Sequence, residues 1–498
     1  MAGPFPSHVP LHDIAAARRL DQAATALLGG DAFVLMRRAG EAAWHTVLGR
    51  WPQARRIAVV CGSGNNGGDG YVLAACARRA GRQVTVIHPE GGGPATPIAQ
   101  RACTAYLAAG GEVGLFPCAL AGFDLIVDAL FGIGLNRAPE GEAAALIRAI
   151  DASGVPVLAL DVPSGVDAGR GIAPGVAVHA THTVQFISAH AGLHTGDALE
   201  YVGSWSLEPL ELPAAAFAGV APAADLLHGD ALAAWLPPRR LNTHKGESGR
   251  VLIAGGEHGS GGAVMLASES ALRCGTGLLN VATRASHVAP LLARRPEAMA
   301  HAVENGEALA PLLARADVVA LGPGLGQGDW GRDLFARVLA CGRPLVLDAD
   351  ALNLLAQAPR PLDDAILTPH PGEAARLLGT DTAAVQHDRF GAVQALVERY
   401  RCAVVLKGAG SLVAAPGQTV RVIGAGNPGM AVGGMGDLLT GVVAALRGQG
   451  LPAFDAAGAG ALLHSLAGDA AAEALGQRGL LPSDLLPHLH RLANPGRG

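Results

Sequence analysis

One construction recurs along this chain and limits its fold more than any other feature. A short apolar run ends abruptly in a loop of glycine, acid, amide or histidine. Residues 55–61 (RRIAVVC) run into 62–70 (GSGNNGGDG), 124–130 (DLIVDAL) into 131–137 (FGIGLNR), and 155–160 into 161–167 (DVPSGVD). Further on, 250–254 leads into GGEHGSGGA, and 316–321 leads into GPGLGQG at 322–328. Likewise 344–347 leads into DADALN at 348–353, 365–367 into TPHPGE at 368–373, and 403–406 into KGAGS at 407–411. Short buried strands with such loops at their ends, interleaved with helical patterns, predict an α/β protein with parallel sheets. Ligands then belong at the carboxyl ends of the strands.

Helical periodicity is predicted over 15–28, 33–48 and 71–80, with a strand at 83–87, so the first part reads as a Rossmann-like βαβ arrangement. A chain of 498 residues is too long for one ordinary core. Two domains are expected, 1–220 and 221–498. The Ala/Pro-rich stretch 211–224 (ELPAAAFAGVAPAA) reads as the linker, open or partly packed, and 237–249 as a polar loop. Half of the residues are hydrophobic and 16% are charged, which excludes a disordered chain. A formal net charge of −5 argues against nucleic acid as a partner. The seven cysteines form no CxxC pair, which fits a reducing compartment with neither zinc nor a disulfide framework. No signal peptide and no membrane-length apolar run is read in the sequence. The expected location is the cytoplasm, and the expected partners are small molecules, with no nucleic acid and no membrane. The expected assembly is a homo-oligomer.

The loops carry the chemistry. GSGNNGGDG holds two amides and an acid, Asn65, Asn66 and Asp69, among five glycines, more than a merely structural turn requires. Asp128 and Asp161 end two neighbouring strands, with Ser164 close by, while Asp167 reads as a turn cap. Neutral oxygens with one carboxylate suit a hard cation rather than zinc. In the second part Lys407 follows a strand and precedes Gly-Ala-Gly-Ser, a place for phosphate or adenine, although a solvated strand end reads the same way. His370, between two prolines, is a ligand contact or a rigid-turn residue. No GxxxxGK[ST] loop occurs. The stretch 427–441 (NPGMAVGGMGDLLTG) is a glycine-rich loop opening into a helix, with Asp437 in or beside its first turn. Free amides and the helix dipole make such a place bind anions. An acid there serves as general base toward a hydroxyl attacking phosphate, or simply caps the helix.

GSGNNGGDG, DALFGIGLNR and ALDVPSGVD in this order, with MRRAG at 36–40, resemble the epimerase domain of NAD(P)H-hydrate repair enzymes over about residues 10–215. The resemblance implies a Rossmann-like fold that interconverts the R and S epimers of hydrated NADH or NADPH. It implies hydrate contacts at Asn65, Asn66, Gly67, Gly68 and Asp69, at Gly132, Ile133, Gly134, Leu135, Asn136, Arg137 and Ala138, and at a catalytic Asp161. It implies a potassium ion (K+) held by Asn66, Asp128 and Ser164. Arg37 stands where the family usually has Glu, and His190 where it usually has Lys.

THKGESGRVLIAGG, ALRCGTGLL, LGPGLG, DADALN, LTPHPGE, VVLKGAGS and NPGMAVGGMGD are similar, in order, to the ADP-dependent NAD(P)H-hydrate dehydratase domain, a ribokinase-like α/β fold, across about residues 228–490. This likeness implies that Ala263, Gly324 or Gly326, His370 and Asp437 face the hydrate, with Asp437 catalytic. Lys407, Gly408, Ala409, Gly410, Ser411 and Gly436 would face the adenine nucleotide, which brings Mg²⁺ with ADP. Gly261 stands where the family often has Tyr. The implied reaction phosphorylates the hydrate hydroxyl from ADP and eliminates phosphate, giving NAD(P)H, AMP and phosphate. A ribokinase-like kinase of a vitamin alcohol, fused to a non-catalytic nucleotide-binding module, is the alternative.

Overall fold

The computed structural model describes residues 8–495. The chain divides into two compact units, one of Pro10–Ala224 and the other running from Asp225 onward.

The first unit is built on seven strands: β1 (Arg56–Cys61), β2 (Gln83–His88), β3 (Glu112–Leu115), β4 (Leu125–Ala129), β5 (Val157–Leu160), β6 (His182–Phe186) and β7 (Ser204–Glu208). Their order is β3-β2-β1-β4-β5-β6-β7, and every pairing is parallel. The chain leaves β1 toward one edge and returns to β4 on its other side. The switch point, where a crevice opens in such sheets, therefore lies between the ends of β1 and β4. β1, β4 and β5 are buried on both faces, which is why they read as unbroken apolar runs rather than alternating ones.

Two expectations change here. The helix after β1 begins at Asn65, not near residue 71, and runs to Arg79. Glycines are poor helix formers, so propensity puts GSGNNGGDG in a loop. Packing overrides propensity: a Cβ on Gly67 would run into the Gly62 carbonyl, and one on Gly70 would press on Ala129 and Cys61. The glycines let this helix sit directly on the strand ends. The supposed linker is also largely part of the fold. Residues 214–217 form a 3-10 turn, Ala216 and Ala224 are buried, and Leu212, Phe217 and Val220 pack on the first unit's core.

The second unit carries β8 (Arg250–Ala254), β9 (Leu278–Thr283), β10 (Met299–Ala302), β11 (Val318–Leu321), β12 (Leu345–Leu347), β13 (Ala365–Leu367), β14 (Ala403–Leu406), β15 (Leu412–Ala414) and β16 (Val420–Ile423). Their order is β10-β9-β8-β11-β12-β13-β14-β15-β16. Pairing is parallel as far as β14 and antiparallel through β15 and β16. The helices Gly261–Arg273 and Met435–Gly448 cross closely because Gly441 sits against the Ala267 carbonyl, while Ser270 Oγ donates to the Leu438 carbonyl at 2.8 Å. A Cβ on Gly322, at the end of β11, would collide with the Asp348 carbonyl. No helix among the described residues is long and apolar enough to cross a membrane.

Candidate active sites

At the switch point of the first unit, three predicted residues meet around the Phe131 backbone. Asn66 Nδ2 donates to the Phe131 carbonyl at 2.9 Å, and the Phe131 N–H donates to Ser164 Oγ at 2.8 Å. Ser164 Oγ donates to Asp128 Oδ1 at 2.6 Å, and its N–H to Oδ2 at 2.8 Å. Asp128 is fully buried. Burial pushes its carboxyl up to about 6, against the pull of the Ser164 hydroxyl and the Ser164 and Leu130 amides. Asn66 Oδ1 is buried and accepts nothing among the described residues. A buried amide oxygen without a donor is costly, and an oxygen-seeking cation would satisfy it.

Asp161, at the end of β5, adopts φ 65°, a left-handed backbone that costs a non-glycine residue about 1–3 kcal/mol. The twist turns its carboxylate into the crevice, where Oδ1 lies 2.8 Å from His190 Nε2. One proton lies between the two atoms. His190 is buried, its backbone N–H donates to Gln185 Oε1 at 2.7 Å, and its Nδ1 has no partner among the described residues. His190 thus makes a hydrogen bond to Asp161 from the position where the family usually has Lys. A Cβ on Gly132 would lie 3.4 Å from Asn66 Cβ and 3.7 Å from Asp161 Oδ2, so these three share one wall. Asp69 is raised well above the carboxylate range by burial, then by Asp161 and Asp21. Asp21 rises to about 6 through desolvation and repulsion from Asp161. His12 lies opposite His190 on adjacent parallel strands, and burial followed by the His190 charge lowers its pKa.

Other predicted residues point elsewhere. Asn65 Oδ1 accepts from Thr96 Oγ1 at 2.8 Å. Gly67 and Gly68 are buried against the Gly62 carbonyl and Met36. Ile133 packs with the cluster around Val162, and Ala138 lies beside Gly175. Gly134, Asn136 and Arg137 are exposed, and Leu135 is half-buried. Arg37 forms an exposed pair with Glu41 four residues on, an ordinary helix-surface bridge. Sequence reasoning missed Asp21, His12 and Gln185, since each lies in an unremarkable segment and only the fold brings it near Asp161.

In the second unit Asp437 is in the first turn of the helix Met435–Gly448, whose N-cap is Gly434 at φ 96°. The simple reading of Asp437 as the N-cap therefore fails. Burial pushes its carboxyl up to about 7, reinforced by Asp348 and opposed by Lys407. Lys407 is not a solvated strand end. Its Nζ is 2.8 Å from Asp348 Oδ1 and 3.7 Å from Glu373 Oε2. Burial works against its charge, but the Asp348 and Glu373 carboxylates outweigh burial and raise its pKa. Asp348 is 2% exposed, and its Oδ2 accepts from Thr440 Oγ1 at 2.9 Å. Gly436 fits here because it has no side chain: a Cβ would lie 3.2 Å from Lys407 Nζ.

His370 caps the helix Pro371–Leu378. Its Nδ1 accepts from the Gly372 N–H at 3.0 Å, while Glu373 Oε2 accepts from the His370 N–H at 2.8 Å. Burial, then the charges of Lys407 and Arg376, lower its pKa. Gly324 lies against Ser260 and Ala263, and the Gly326 N–H donates to Asp350 Oδ2 at 2.9 Å. The place beside Gly261 is filled: a Cβ there would meet the His287 ring at 2.6–2.9 Å. In the Lys407–Ser411 loop, Ser411 Oγ donates to the Gly408 carbonyl at 3.0 Å, Ala409 is exposed, and Gly410 is buried. The fully buried Arg389 lies under Gly408 and donates to the Leu406 and Lys407 carbonyls at 3.4 Å. Asp348, Glu373, Thr440 and Arg389 were not foreseen as site residues. Asp348 and Glu373 stood in quoted motifs, but nothing in the letters tied them to Lys407. Two carboxylates close to a glycine-rich helix start suit Mg²⁺, which takes few protein ligands and completes its shell with phosphate and water.

An open parallel sheet with an oxygen-lined crevice at its switch point, joined in one chain to an α/β unit with a buried acid at a glycine-rich helix start, defines a two-domain enzyme of nucleotide chemistry. Residues 32–192 match the family model described as YjeF-related protein N-terminus, and residues 251–491 match that described as NAD(P)H-hydrate dehydratase. The bifunctional NAD(P)H-hydrate repair enzyme Nnr of Escherichia coli is 44% identical, covering 96% of this chain and 93% of its own. That of Coxiella burnetii is 47% identical over 93% and 95%. A solved ribokinase-like superfamily protein from Enterococcus faecalis is 30% identical with a TM-score of 0.51, covering 54% of this chain and 96% of its own. The chain belongs to the bifunctional NAD(P)H-hydrate repair enzymes, which join an epimerase to a dehydratase. Its two parts are Rossmann-like and ribokinase-like.

Proposed function

We propose that the first unit epimerises R and S hydrates of NADH and NADPH, and that the second dehydrates the S form at the expense of ADP. The observation that carries this reading is Asp437: a buried acid raised to about 7, at a helix start rich in free amides, with Lys407 close by. Hydroxide is a poor leaving group. Asp437 takes the proton of the hydroxyl on C6 as its oxygen attacks the terminal phosphate of ADP, releasing AMP. The amides of Gly434 to Gly436 steady the developing charge. Phosphate then leaves C6, a proton leaves C5, and the dihydropyridine is restored. Lys407 and its loop hold the nucleotide; Asp348 and Glu373 would hold Mg²⁺ brought with ADP, which would supply positive charge against the diphosphate.

In the first unit Asp161 and His190 form the proton-handling pair. Donation to the C6 hydroxyl lets it depart as water, the ring nitrogen lone pair flattens C6, and water returns to either face as the pair takes a proton back. Asn66, Asp128 and Ser164 would hold potassium, for which the unpartnered Asn66 Oδ1 speaks. That ion would supply a fixed positive charge beside the crevice. Mixed R and S NADH hydrate with ADP and Mg²⁺ should recover the full NADH absorbance. A stable phosphoester with no NADH would instead mean an ordinary kinase.

A further inference from the structure

Beside the second unit's site lies an open recess of about 490 Å³ that the proposed reaction leaves unused, lined by Gln327, Asn353, Ala356, Gln357 and Arg376. It is wired to the Gly324–Gly326 loop. Asp350 accepts from the Gly326 N–H at 2.9 Å through Oδ2, and from Gln327 Nε2 and Asn353 Nδ2 at 3.2 Å through Oδ1. Its negative charge is thus spent on three donors. Gln357 Nε2 donates to Gln327 Oε1 at 3.2 Å. Arg376 Nε donates to Asn353 Oδ1 at 2.7 Å, which fixes the guanidinium plane, and Arg376 makes no ion pair among the described residues. The recess therefore offers a held guanidinium, its Nη donors uncommitted among the described residues, beside three side-chain amides, with the Asp350 carboxylate bonded to two of them and Glu373 on the same helix. Arginine in this state matches the oxygens of a phosphate. Arg376 also lies on the helix that His370 caps. Six residues of rise separate them by about 9 Å along that helix.

We propose that this recess binds a phosphate of the dinucleotide hydrate while the hydrated ring lies at His370 and Asp437. The proposal rests on the reading that the Gly324–Gly326 loop faces the hydrate. Two phosphates share the chemistry, the bridging diphosphate of either hydrate and the 2′-phosphate found only in NADPH hydrate. The test is steady-state dehydration of S-NADH hydrate and S-NADPH hydrate, with KM measured for each hydrate and for ADP, in the parent and in Arg376→Gln and Arg376→Lys. Losing one charge-assisted contact at a partly open site should raise the hydrate KM about ten-fold with kcat little changed, and Lys should restore part of the loss. A rise for both hydrates assigns the diphosphate, and a rise for NADPH hydrate alone assigns the 2′-phosphate. Unchanged KM for both hydrates and for ADP overturns the recess proposal and leaves the loop reading standing. A rise in the ADP KM alone overturns both, because the recess then serves the nucleotide. Arg376 is exposed, so both variants should fold, which a melting curve verifies.

Discussion

Asp437 can act as a base only when ionised, and its surroundings hold its pKa near 7. The dehydratase kcat/KM should therefore climb with pH and level off above an inflection near 7, as a pH profile of hydrate consumption would reveal. An inflection in the ordinary carboxylate range would remove Asp437 from that role. Asp437→Asn keeps the shape and removes the base, which should cost about two to four powers of ten in rate while ADP still binds. The same shift carries a stability sign. A carboxyl raised in the folded state keeps a proton that the unfolded chain has released between the ordinary carboxylate range and about 7. Its burial therefore weakens the fold as pH rises through that window. Asp437→Asn should consequently melt higher than the parent at about pH 8, and the gap should close toward about pH 4. In the first unit, His190→Phe removes the ring nitrogen 2.8 Å from Asp161. Epimerisation should fall by about two powers of ten or more, with dehydration of the S epimer unchanged, in paired assays of the two steps.

The helix Asn65–Arg79 bears Gly67 and Gly70 on the side that meets the ends of β1 and β4, while Gly68 lies against Met36 and Ala99. Gly67→Ala should therefore push the helix off the strand end, displace Asn66 from the Phe131 carbonyl, and cost both melting temperature and epimerase activity. The same change at the exposed Gly64 should be mild. Equal melting temperatures for the two variants would refute that account. This element also shows what could be read in the letters. The strands β1, β4, β8, β13 and β14 were legible because each is buried on both faces, so apolar runs mark them plainly. The carboxylate of Asp437 in a first helical turn was legible too, because glycines before it and apolar residues after it leave little else. The true start of the Asn65 helix was not, since local propensity speaks against three glycines and only what they pack against explains them. β15 and β16 hid for another reason: three or four residues in an antiparallel hairpin carry no period long enough to detect. Lys407 shows the limit for sites. Its partner Asp348 is 59 residues away, and no spacing rule joins the end of β12 to the end of β14.

At the scale of the whole molecule, every residue placed in the epimerase crevice belongs to the first unit, and every residue around Asp437 to the second. Single changes should accordingly separate the activities. Asp161→Asn should leave the S epimer repaired at once, while the R epimer waits for spontaneous conversion. Asp437→Asn should still equilibrate the two epimers and repair neither. A time course on each purified epimer distinguishes these outcomes, and simultaneous loss of both steps in either variant would contradict the division of labour. One feature shared by both units bears on how such a chain can be changed at all. At Gly62, Gly67 and Gly322 the neighbouring carbonyl leaves room for a hydrogen atom and nothing larger. A randomised codon library screened for hydrate repair should return glycine at these three places almost without exception. At the exposed Asn136 and Arg137 it should drift freely wherever the substrate does not hold them. The tolerance map of the enzyme would then trace its backbone crossings first and its chemistry second.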